Sequence, residues 1–128
     1  MNVTDDVLND PAKRDVAVRL GRAWYKGVVF AQENPEAALE IICKLVPEDC
    51  EDKEGAKALL GKVLQLLQKQ DGQGWGQLNP DAWTTVQDTM LSLDKPVAID
   101  SVMTNDLNAD VNDFDEEKVR TEAAGASR

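Results

Sequence analysis

The hydrophobic positions of this chain recur at intervals of three and four residues over most of its length, the spacing of one face of a helix. After Asp10-Pro11, Val16, Leu20, Ala23, Gly27 and Phe30 form one stripe, and Ala17, Gly21, Trp24, Val28 and Ala31 form a second beside it. Two adjacent stripes make a wide apolar face, so this helix is expected to be deeply buried or contacted on two sides. Gly21 and Gly27 each cost a helix interior about 1 kcal/mol relative to Ala, which close approach of another backbone would justify. The start itself is chemical: an aspartate can cap free N–H groups, and proline fits the first helical position. Asn34-Pro35 repeats the signal, with Ala38, Leu39, Ile41, Ile42, Leu45 and Val46 as the apolar face and Pro47 as the stop. Glu51-Asp52 opens a third helix, striped by Ala56, Leu59, Leu60, Val63, Leu64, Leu66 and Leu67 and predicted to reach Gln70.

Residues 71–76 form a glycine-rich loop holding Trp75. Asn79-Pro80 is the third start of the same kind, followed by Trp83, Val86, Met90 and Leu93 at helical spacing and a break at Lys95-Pro96. Asp100-Ser101 is predicted to cap a shorter helix through Val102, Met103, Leu107 and Val111, and Asp115 to cap a last one from Glu116 to Ala124. Val97-Ala98-Ile99 and, more weakly, residues 3–8 could be strands, but no sheet can be built from them. The expected fold is all-α: five to six short-to-medium helices in an irregular bundle with little or no sheet. All 128 residues fit one domain, with 1–9 and 124–128 as loose ends.

Charge narrows the possible partners. The net charge is −10, and residues 100–117 carry seven acids (Asp100, Asp106, Asp110, Asp113, Asp115, Glu116, Glu117) with no Lys or Arg. That stretch repels phosphate, which argues against nucleic acid and against an anionic membrane surface. It reads as a solvated acidic face, with a basic protein partner as the functional alternative. No run approaches membrane-spanning length.

Catalytic chemistry is hard to place. There is no histidine, which removes the commonest general base and metal ligand, and every Ser-His-Asp or Cys-His arrangement with it. The run from Asp110 fails the calcium-loop pattern, with Asp115 where glycine is needed and Thr121 where glutamate is needed. No catalytic, metal or cofactor site is assigned, and the chain reads as a non-enzyme. Cys43 and Cys50 flank a Pro-Glu-Asp turn. The polar, acidic beginning resembles no export signal, so a cytoplasmic location and two free thiols are expected, with Cys43 as a small core residue. Trp24 and Trp83 read as core residues. Trp75 is expected either to fold back over the helix ends or to anchor a partner.

One stretch is familiar. Residues 22–38, Arg22-Ala23-Trp24-Tyr25-Lys26-Gly27-Val28-Val29-Phe30-Ala31-Gln32-Glu33-Asn34-Pro35-Glu36-Ala37-Ala38, resemble a segment of the periplasmic substrate-binding proteins of ABC importers. The branch is the one serving nitrate, sulfonate, taurine and thiamine-precursor import. Pro96-Val97-Ala98-Ile99-Asp100, Thr104-Asn105-Asp106-Leu107 and Asn112-Asp113-Phe114-Asp115 are similar to that family's closing motifs in order and spacing. The resemblance implies the helical C-terminal portion of such a protein, and a periplasmic location if the chain is a fragment of a longer receptor. Helices of that fold cover a sheet, so their apolar faces here are expected to find another partner. The functional expectation is a self-associating or protein-interaction module, a dimer through the first helix being favoured. The alternative is a small organic ligand held at an oligomer interface near Trp24 and Trp83.

Overall fold

The computed structural model describes residues 3–91, 95 and 97–126, leaving aside the side chains of Met90 and Leu91. The expectations placed on Leu93, Pro96 and the last two residues lie outside that set. The element order is α1 (Asp5–Asn9), α2 (Pro11–Glu33), α3 (Pro35–Leu45), a 3-10 turn (Pro47–Cys50), α4 (Lys53–Leu66), α5 (Pro80–Val86) running into a π turn (Gln87–Leu91), a 3-10 turn (Ile99–Ser101), α6 (Asn108–Val111) and α7 (Glu116–Ala124). The fold is all-α, with no strand among the described residues.

Local cap chemistry sets most of the helix starts. The Asp10 carboxylate accepts from the N–H groups of Ala12 (2.9 Å) and Lys13 (3.2 Å). Asn34 accepts from Ala37 N–H at 3.1 Å, Asn79 from Asp81 N–H at 3.0 Å, Asp52 from Gly55 N–H at 3.0 Å and Asp115 from Lys118 N–H at 2.9 Å. Each satisfies donors that the first helical turn leaves unpaired.

Five local expectations need correction. The loose end and weak strand expected over residues 3–9 is in large part helix α1, whose first turn carries Asp5 and Asp6 at the positive pole of the helix. Its Val7 and Leu8 pack on the core, which holds it down. Helix α4 stops at Leu66 instead of Gln70. Leu67 turns out of the helix to pack on the core, and its carbonyl accepts from Gln32 Nε2 at 2.7 Å. The expected helix from Asp100 to Val111 is broken into the short Ile99–Ser101 turn and α6. Val97 lies outside any strand: its N–H donates to Gln87 Oε1 (2.6 Å) and its C=O accepts from Gln87 Nε2 (3.1 Å). A buried side-chain amide thus replaces the neighbouring strand. Finally, Cys43 and Cys50 are not free thiols. They form a disulfide, Cα–Cα 5.4 Å, that ties the end of α3 to the following 3-10 turn, with Cys43 half-buried at the rim.

The core has two clusters on α2. Ala17 and Val18 meet Leu107 and Val111; further along, Val28 and Val29 meet Trp75, Leu67, Phe114 and Val119. Tyr25 packs against both. Helix α7 closes over the C-terminal half of α2, where fully buried Ala123 offers its carbonyl to Asn34 Nδ2 at 2.9 Å. The Asn34 side chain therefore both caps α3 and joins the first half of the chain to its last helix.

Candidate interaction surface

The two α2 stripes differ. Ala17, Gly21, Val28 and Ala31 of one are buried, with Trp24 left out, whereas Val16, Leu20, Ala23 and Gly27 of the other face outward and its Phe30 is half-buried. Val16 is 55% exposed and Leu20 61%. Trp24, expected in the core, is 62% exposed and lies beside Leu20 on the open side. The helix is wide-faced, as its pattern demands, but this chain covers only one half of the face. Gly27 sharpens the point. A Cβ added to it meets nothing within 4 Å, so no contact among the described residues accounts for a glycine there. A second open area lies on α3 and α4, where Leu45 is 77% exposed and Leu66 85%. The sequence stripes flagged these residues as apolar but could not say which side the rest of the chain would cover.

Trp75 folds inward: it is 4% exposed and stacks on Tyr25 with ring centroids 5.9 Å apart. Its loop is latched by side-chain amides. Asn112 Oδ1 accepts from Trp75 N–H at 2.7 Å, and Asn108 and Asn112 both donate to the Trp75 carbonyl, at 2.8 and 3.0 Å. Next along, Asn105 grips both backbone groups of Leu78, accepting at 2.8 Å and donating at 3.0 Å. Gly76, at φ +70°, passes against the Tyr25 hydroxyl, where an added Cβ would lie only 2.0 Å away. These interactions consume the aromatic that could otherwise have anchored a partner. Trp83 is half-buried, and its buried indole N–H has no hydrogen-bond partner among the described residues.

The acidic stretch is less free than its charge implies. Arg14 donates to the Asp106 carbonyl (2.9 Å) and Arg22 to the Asp110 carbonyl (2.5 Å). The Asp110 and Asp113 carboxylates lie 3.7 Å from these two guanidinium groups. Glu116 sits at a junction: Lys69 Nζ and Arg120 Nη2 approach its two oxygens at 2.7 Å each, and Trp75 Nε1 donates at 3.1 Å. Burial alone would push the Glu116 carboxyl up. The hydrogen bonds from Lys69, Arg120 and Trp75 and the Lys69 charge outweigh it and hold the pKa down at about 2. Because the folded value lies below the ordinary 4.5, this stabilisation is complete above pH 4.5 and is lost as pH falls toward 2. Denaturant melts of the protein and of Glu116→Gln are therefore expected to differ most above pH 4.5 and to converge toward pH 2. A gap that stays constant over that range would contradict the assignment.

No protein-family model matches the chain, and neither a curated protein nor a solved structure does. The geometry therefore carries the functional argument. No helix among the described residues is long and apolar enough to cross a membrane. The described residues include shallow hollows of about 320 and 190 Å³. The larger is lined by Arg14, Arg22, Asp15 and Asp110, whose charges already oppose one another, and the smaller by the Tyr25–Trp75 pair and the end of α4. Neither includes Trp24 or Trp83, the residues expected to frame a ligand site.

Proposed function

We propose that this chain is a non-catalytic helical interaction module that associates with a second copy of itself through the open face of α2, and that it derives from the C-terminal helical part of an ABC-importer substrate-binding protein. The observation that carries this reading is the outward row of Val16, Leu20, Ala23 and Gly27 with Trp24 beside it. Apolar surface removed from water contributes roughly 25 cal/mol per Å². Monomers rarely keep contiguous apolar patches beyond a few hundred Å² uncovered. A paired Cys43–Cys50 supports a compartment that permits disulfides, which fits the periplasmic location of the family resembled.

Sedimentation velocity at rising protein concentration tests the reading. The expected result is a dimer at micromolar concentration that reverts to monomer, with unchanged helicity, when Leu20 and Trp24 are both replaced by glutamate. A wild-type monomer at high micromolar concentration overturns it.

A further inference from the structure

We infer that the two copies pack α2 against α2 in antiparallel fashion, with Gly27 of each helix receiving Val16 of the other. This rests on the self-association proposed above and adds its geometry. Three observations carry it.

The first is Gly27. Glycine is a poor residue for a helix interior, and nothing among the described residues approaches the place of its missing side chain. A close neighbour from outside the chain accounts for it.

The second is the order of sizes along the open stripe. Val16 and Leu20 are large; Ala23 and Gly27 are small. Positions four and three apart on a helix lie on one face. Two such stripes running in opposite directions set Val16 against the partner's Gly27 and Leu20 against the partner's Ala23, each pairing occurring twice about a two-fold axis. Parallel stripes would instead bring large against large at one end and leave a void at the other. Small residues facing large ones let two helix axes approach to about 8 Å. Trp24, on one edge of the stripe, then covers the partner's Leu20.

The third is charge. Asp15, Arg19 and Lys26 lie along the other edge of the stripe, and Asp15 pairs with Arg19 at 2.9 Å. The Lys26 ammonium sits 5.8 Å from the Phe114 ring centre. Antiparallel packing brings Lys26 of one copy beside Asp15 of the other, so that each Asp15 is shared by two cations. Parallel packing about a two-fold axis sets the Asp15–Lys26 edge of one copy against the Trp24 edge of the other and makes no such pairing. Arg14, which binds the Asp106 carbonyl, projects away from Leu20, while Arg22, which holds Asp110 and Asp113, lines one hollow with Asp15 and screens the acidic stretch beside this edge.

The test is a size swap read by sedimentation equilibrium, with circular dichroism as the check on folding. Gly27→Val alone fills open space in the single chain, so helicity is kept while dimer affinity drops about 100-fold. Adding Val16→Gly moves the bulk to the opposite side of the same contact and restores dimerisation to within about tenfold of wild type. If Gly27→Val leaves the dimer intact while Leu20→Glu/Trp24→Glu abolishes it, self-association stands and the antiparallel register falls. If the double swap fails to recover the dimer while its helicity is unchanged, the pairing of Val16 with Gly27 falls. A monomeric wild type removes both.

Discussion

Replacing Trp75 with alanine is expected to cost the fold about 3–5 kcal/mol, the range for truncating a buried aromatic side chain. For a domain of this size that corresponds to a fall of about 10–20 °C in the thermal midpoint by circular dichroism. The indole fills the space between Val28, Val29, Leu67 and Phe114 and stacks on Tyr25. It also donates to Glu116, so truncation removes both packing and one of the bonds that hold that carboxylate ionised. Trp75→Phe keeps the apolar contacts and loses only the indole N–H, and its loss is expected to be no more than about half as large. Equal losses for the two variants would mean that the hydrogen bond, and not the packing, carries Trp75.

Asn112→Ala is expected to cost about 2–3 kcal/mol although the side chain is small and has no place in either apolar cluster. Its amide does three things: it accepts from Trp75 N–H, donates to the Trp75 carbonyl and donates to the Asn108 carbonyl at 2.8 Å. Truncation leaves a partly buried N–H without an acceptor, and an unmet donor is more expensive than the net worth of the bond. Because Asn112 acts by holding the loop that carries Trp75, the two losses should not add. A double-mutant cycle with Trp75→Ala is expected to give a coupling of about 1 kcal/mol or more. Strict additivity would show that Asn112 contributes independently of the indole.

These two residues also mark where sequence reading reaches its limit. Asp10, Asn34, Asp52, Asn79 and Asp115 were legible as helix starts because a cap bonds N–H groups two or three residues away. The Asn112 latch spans 37 residues and the Asn105 latch 27, and nothing in the local pattern pairs an asparagine with a distant loop. The closing motifs were visible as a resemblance. Their physical roles were not: Asn105 and Asn112 fasten loops, Phe114 packs on the α2 core and Asp115 caps α7. Periodicity found both stripes of α2, since burial on either side produces the same spacing. It could not tell the covered side from the open one, and Trp24, though part of the stripe that is otherwise covered, lies at its edge and faces out. The cysteines were misread because pairing depends on the turn at Pro47–Cys50 bringing two Cα atoms to 5.4 Å.

The closure of α7 on α2 has a consequence for how the protein is made. The bond from Asn34 to the Ala123 carbonyl joins residues 89 apart. At about 5–20 residues per second, a ribosome needs roughly 4 to 18 seconds to produce the second after the first. For most of that interval α2 lacks both α7 and the Trp75 loop latched by Asn112, so the stripe they cover is only partly shielded, by Val7 and Leu8 of α1 and by Leu67. The nascent chain is most adhesive while it is still being translated, and the covered side of α2 closes only when α7 arrives.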